Sequence, residues 1–185
     1  MKSSTKTTLI IIGIVLATIL LFVGVFASAN NKAIYLEEQV KGALSNIDVA
    51  EKRRVDLVYN LADATLAYQE YEGDTLIKIT EARANAANGN VEAATTALNA
   101  VAEAYPELKA NEQYKALMNE LALTENQIAQ YRNNYNEQVR TYNRGVRSFP
   151  NSMFLNLMGY EKQNFEYLNY NAPADAPQNL FGNND

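Results

Sequence analysis

Residues 9–29 read LIIIGIVLATILLFVGVFASA, and this stretch determines where the protein resides and how its fold begins. No charged residue lies between Lys6 and Lys32. A helix of this length, at about 1.5 Å per residue, spans roughly the hydrocarbon core of a bilayer. We therefore predict a short basic N-terminus over residues 1–8 and a transmembrane helix over residues 9–29. The expected anchor residues are Leu9, Ile10, Ile11, Ile14, Leu20, Phe22 and Phe26.

The same stretch has a second interpretation as a cleavable signal peptide. Lys2 and Lys6 supply a basic start, and Ala27-Ser28-Ala29 matches a cleavage site. The apolar run is longer than the roughly 7–15 residues typical of signal peptides, which favours a retained anchor. Because excess lysine tends to stay cytoplasmic, Lys2 and Lys6 predict a cytoplasmic N-terminus and a main domain on the extracytoplasmic side.

The composition excludes several classes of chemistry. The chain has no cysteine, histidine or tryptophan, so it can form neither a disulfide, a Cys/His zinc site, nor a histidine-based catalytic triad. The net charge is −5, and without Lys2 and Lys6 residues 30–185 carry −7, which argues against nucleic acid as a ligand. We predict no catalytic residues, no cofactor and no metal site.

Helix is the predicted secondary structure throughout the main domain, because alanine, glutamate and leucine abound and no proline precedes Pro106. We expect a first long helix that ends between Tyr71 and Asp74. Two shorter helices follow over 75–87 and 91–104, with Asp74 and Asn90 as their N-caps. A fourth runs from about 111 to 148.

The fourth helix carries the clearest apolar pattern, with three-four spacing at Tyr114, Leu117, Leu121, Thr124, Ile128, Tyr131 and Tyr135. This spacing is typical of a helix that packs lengthwise on an antiparallel or coiled-coil partner. The predicted fold is all-α: an elongated antiparallel four-helix bundle over residues 30–160, attached to the transmembrane helix. We expect residues 161–185 to form a disordered tail.

Residues dispersed along the bundle also match a known family pattern. They include Ser45-Asn46-Ile47-Asp48-Val49, Lys52-Arg53-Arg54, Thr80-Glu81-Ala82-Arg83-Ala84, Glu103-Ala104-Tyr105-Pro106-Glu107-Leu108, Glu125-Asn126-Gln127-Ile128-Ala129 and Ser148-Phe149-Pro150. Together they make the chain resemble the LemA family from about Ile34 to Tyr160. The resemblance implies a bacterial, membrane-anchored helical bundle without an established catalytic activity, located in the inner membrane.

Two groups of residues are candidates for more than packing. Polar residues in or near the expected helix interfaces could set the register of the bundle: Asp48, Arg54, Asn60, Asn126 and Asn136. The alternative for Asp48 and the asparagines is an ordinary interhelical bond or exposure to solvent. Arg54 could pair there with Glu125. The second group could touch lipid or a partner where the last helix returns to the membrane: Arg140, Arg144, Arg147, Met153, Phe154 and Leu157. Its alternative role is simply to close the end of the bundle.

These observations predict a non-enzymatic scaffold or adaptor that acts through protein contacts. The alternative is a self-associating, membrane-shaping protein that uses its basic, amphipathic end. The expected partners are the lipid bilayer and other envelope or membrane proteins. A homo-oligomer is also possible, and nucleic acid is not an expected ligand.

Overall fold

The computed structural model describes residues 3–67 and 73–169, and within them every regular element is a helix. The helices in chain order are α1 (Ser3–Leu66), α2 (Gly73–Ala87), α3 (Val91–Ala104), α4 (Pro106–Ala110), α5 (Glu112–Arg147) and α6 (Asn151–Leu157). The all-α prediction is confirmed. The first helix was expected to end between Tyr71 and Asp74, whereas α1 ends at Leu66 and Gly73 already belongs to α2. Residues 68–72 lie outside the described residues.

Helix α1 contains both the candidate membrane span and the first helix of the bundle, without interruption. It has 64 residues, which corresponds to about 95 Å. Its N-terminal part is long and apolar enough to cross a membrane. The predicted anchor residues from Leu9 to Phe22 are exposed in the isolated chain. Phe26 is the exception, since it is half-buried.

Helix α5 runs antiparallel to α1, and these two helices make the most extensive contact in the protein. Helices α2 and α3 form a hairpin that packs on the half of α1 farther from the membrane. The side chain of Asn90 caps α3 by accepting from the amide of Ala93, as predicted. Asp74 lies inside the first turn of α2 rather than before it, so its predicted role as the N-cap was wrong.

The bundle has two apolar cores along its length. The distal core joins α1, α2, α3, α4 and the start of α5. Its fully buried residues include Val58, Leu61, Ile79, Leu98 and Leu108. The proximal core, nearer the membrane, joins α1 to the end of α5, and includes Val40, Val139, Tyr142, Val146 and Leu155. Only the distal half is covered by the α2–α3 hairpin. The proximal half therefore needs another element to cover it.

That element is the segment that follows α6, residues 158–169, which we call the strap. It is non-helical, and Tyr160, Phe165 and Leu168 pack against the proximal core. The expectation of a disordered tail from residue 161 was therefore wrong for residues 161–169. The composition of this segment does not predict its packing, because its apolar residues are few and irregularly spaced. Residues 170–185 lie outside the described residues.

The distal core predicts a strong dependence of stability on Leu61. Replacing this fully buried side chain by alanine leaves a cavity, so Leu61→Ala should lower the free energy of unfolding by about 2–5 kcal/mol. The matched control is Leu123→Ala, because Leu123 is 64% exposed and its truncation should cost less than about 0.5 kcal/mol. Urea unfolding in detergent, followed by near-UV circular dichroism, measures both. Equal losses would contradict the assignment of the core.

Candidate functional site

Three ion pairs join α1 to α5 midway along the bundle, between the two cores. We call this set the ion-pair belt: Glu51 with Arg132, Arg53 with Glu120, and Arg54 with Glu125. The Glu51–Arg132 pair is close, at 2.6 Å, and the Arg54–Glu125 distance is 3.4 Å. All six side chains are partly exposed, and such pairs contribute about 0–1 kcal/mol each. The belt thus favours one register of α1 on α5.

The structure places three of the predicted register residues on the surface. Asp48, Asn60 and Asn126 are exposed to solvent, which is the alternative that the sequence left open for them. The three-four pattern locates α5 correctly. It does not show whether a side chain at the edge of the apolar stripe is buried or exposed to water. Arg54 does lie opposite Glu125, the partner named from the sequence.

The asparagine at position 136 holds the strap against the bundle. Asn136 donates from its side-chain nitrogen to the carbonyl of Leu168 at 3.1 Å, and its oxygen accepts from the amide of Leu168 at 2.8 Å. A second backbone contact is made by Tyr142, whose hydroxyl accepts from the amide of Gln163 at 2.8 Å. One side chain thus satisfies both backbone groups of a residue that belongs to no helix.

A polar chain continues from the strap to α1. The Tyr142 and Tyr160 hydroxyls lie 3.3 Å apart, and Tyr160 donates to the carboxylate of Glu37 at 3.1 Å. Lys41 lies 2.8 Å from the same carboxylate. The hydrogen bond from Lys41 holds the pKa of Glu37 below its usual value, whereas burial raises the pKa of Tyr160. Glu37 is therefore an anion and Tyr160 a neutral donor at neutral pH.

The membrane-proximal end combines basic and apolar side chains. Arg140, Arg144 and Arg147 are exposed on the last turns of α5. Helix α6 follows them, with Met153 and Leu157 exposed and Phe154 half-buried. The ring of Phe154 packs edge-on against Phe26 of the anchor, with centroids 5.1 Å apart. The two rings account for the partial burial of Phe26.

A shallow depression of about 410 Å³ lies near the membrane-distal end, where α3, α4 and α5 meet. Ala102, Tyr114 and Met118 supply an apolar floor, and Lys109 and Lys115 stand beside them. The capping of α5 fixes this corner, because the side chain of Asn111 accepts from the amide of Tyr114 at 3.1 Å. Burial raises the pKa of the Tyr114 hydroxyl.

The carboxylates of the described residues are dispersed rather than clustered. Within residues 3–67 and 73–169, no three acidic side chains come close enough together to hold a metal ion. Two surfaces at opposite ends of the bundle are the remaining candidates for function: the distal depression, and the end of α5 with α6 beside the anchor.

Comparison with known proteins agrees with this architecture. The model of the LemA family matches residues 43–181, which is most of the chain. The chain belongs to the LemA family. It is also similar to Protein LemA of Metamycoplasma hominis, with 29% identity over 144 residues. That match covers 71% of this chain and 66% of the relative, slightly less than two thirds of its length.

The region matched to the LemA family begins within α1 beyond the membrane span and extends past the strap. The strap is thus part of the family region. The contact between Asn136 and Leu168 joins residues 32 positions apart and was not predicted from the sequence. The available signal was the set of aromatic residues Tyr160, Phe165 and Tyr167 in an otherwise polar segment.

The stability of the packed strap should depend on Asn136. Asn136→Ala removes both hydrogen bonds to Leu168. A loss of about 1–2 kcal/mol corresponds to amide exchange at Leu168 that is faster by about five-fold to thirty-fold. Hydrogen–deuterium exchange of residues 160–169 measures the change. Asn126→Ala on the same helix is the matched control, since that side chain is exposed. Equal protection in both variants would contradict the role of Asn136.

Proposed function

We propose that the protein is a non-enzymatic, membrane-anchored scaffold in the bacterial envelope, which contacts other membrane or envelope proteins through its bundle. In this proposal the N-terminus stays in the cytoplasm and the bundle projects from the opposite side of the inner membrane. The proposal agrees with the family, since LemA proteins are not known as enzymes.

The observation that carries the proposal is the continuity of α1. From Asn30 to Leu66 this helix extends about 55 Å beyond the anchor. The pairing with α5 and the two cores stiffen it along that length. A loop between anchor and bundle would let the bundle reorient freely, whereas one helix holds it upright at a defined height. A rigid support of fixed length suits a protein that positions a partner.

The distal depression is the surface we assign to that partner. Its apolar floor of Ala102, Tyr114 and Met118 could accept one or two apolar side chains. Lys109 and Lys115 add positive charge beside it, in a domain whose net charge is negative. The combination fits a protein segment that carries both an apolar side chain and a carboxylate.

The scaffold proposal is tested by site-specific photocrosslinking in intact cells. A benzophenone amino acid at Lys115, beside the depression, should give a discrete adduct with a different protein. The same amino acid at Glu137 is the control, because Glu137 is exposed on α5 in the proximal half. Adducts of equal yield at both positions, or none at Lys115, would contradict the distal contact surface.

The same experiment distinguishes the alternative, a self-associating protein that shapes the membrane. The placement of α6 against the anchor favours that candidate, because it brings an amphipathic end to the lipid surface. An adduct of twice the mass of the chain would support self-association and count against an adaptor.

The orientation has its own test, which exploits the absence of cysteine from the chain. Asn119→Cys places one thiol on the exposed surface of the distal half. A membrane-impermeant maleimide should label it in spheroplasts as fully as in lysed cells, because Lys2 and Lys6 hold the N-terminus inside. Labelling only after lysis would place the bundle in the cytoplasm.

A further inference from the structure

We propose that α6 is a second membrane contact of this protein: a short interfacial helix that inserts its apolar side chains into the bilayer beside the anchor. This inference rests on the position of α6 and not on the partner contact proposed above. Its test is therefore independent of the test of the scaffold function.

The depth of α6 follows from its contact with the anchor. Phe154 packs on Phe26, and Phe26 lies three residues before the end of the apolar stretch at Ala29. Three residues of helix correspond to about 4.5 Å. If the apolar stretch fills the hydrocarbon core, Phe26 lies just inside its boundary. A side chain packed on Phe26 then lies at the same depth.

The end of α6 also lies beside the anchor. Met158 lines one apolar surface groove of about 540 Å³ together with Ile19, Phe22 and Phe26 of the anchor. Phe22 and Ile19 lie one and two helical turns further into the apolar stretch than Phe26. The C-terminal end of α6 thus borders a part of the anchor that faces lipid. Water cannot fill this groove when the anchor is embedded, so lipid chains must occupy it.

The side chains of α6 suit such an environment. Its sequence, NSMFLNL, has no charged residue. Leu157 is 70% exposed and Met153 is 44% exposed, so both face away from the bundle. In water these side chains would form an apolar patch with Met158, whereas beside the anchor they extend its lipid-facing surface.

The surroundings of α6 supply the charge that an interfacial helix needs. Arg144 and Lys32 border a groove of about 470 Å³ that also contains Asn151, the first residue of α6. Arg147 is exposed at the last position of α5. These cations lie on the aqueous side of α6, at the level expected for phosphate headgroups. Apolar side chains below and cations above match the polarity of a lipid interface.

A second contact would change how the bundle sits on the membrane. A single helix is free to rotate about its axis and to tilt, whereas α6 adds a fixed point beside it. The side of the rod that bears α6 would then always face the bilayer. Any partner surface on the bundle would keep a defined direction relative to the membrane.

The absence of tryptophan from the chain allows a direct test. The full-length protein is reconstituted into vesicles of phosphatidylcholine and phosphatidylglycerol, with or without bromine on the acyl chains near the headgroup. In Leu157→Trp, brominated lipid should lower the tryptophan emission by about two-fold or more, because bromine quenches only at short range and α6 lies in the interface. Phe22→Trp in the anchor is the positive control.

The matched control is Leu123→Trp, which has similar exposure but lies in the distal half. Its emission should not change with brominated lipid. If Leu157→Trp behaves like Leu123→Trp, the proposal is overturned. A tryptophan at 157 that is shielded from aqueous acrylamide but not quenched by bromine would also overturn it, since a protein and not lipid would then cover α6. Equal thermal midpoints of the two variants show that the fold is retained.

Discussion

The antiparallel contact between α1 and α5 is the interaction on which the rest of the structure depends. It brings the chain back to the membrane after a distal excursion, and both apolar cores are built on it. Burial of apolar area supplies most of its stability, at about 25 cal/mol per Å². The ion-pair belt adds little energy, but it disfavours a shift of one helix past the other. Without this register α6 would not reach the anchor, and the strap would not meet Asn136.

The large features of the fold could be predicted from the sequence because they are repetitive. A long uncharged apolar run identifies the anchor, and the spacing from Tyr114 to Tyr135 identifies the helix that pairs with α1. The bounds of α3 were predicted to the residue, since Asn90 and Pro106 mark them. These signals are local. The apolar patterns recur over several helical turns, and the helix ends depend on single residues that cap or interrupt a helix.

The features that were missed depend on single contacts between distant residues. Nothing near Asn136 distinguishes it from Asn126 on the same helix, yet one binds the strap and the other faces solvent. The strap itself has no period, because its segment is extended and each side chain meets a different neighbour. The basic residues Arg140, Arg144 and Arg147 were recognised as a group, and the contacts of α5 and α6 with α1, including Phe154 with Phe26, place them beside the candidate membrane span.

The strap has a consequence for the order in which the protein folds. The α2–α3 hairpin joins neighbouring segments, so its closure costs little chain entropy and the distal half can form early. The proximal half joins Leu36 to the region of Gly145, more than a hundred residues later, and is completed only by residues 160–169. During synthesis the anchor enters the membrane long before those residues exist. We expect the distal core to pack first. The proximal parts of α1 and α5, next to the lipid, then stay partly uncovered until the strap has been synthesised.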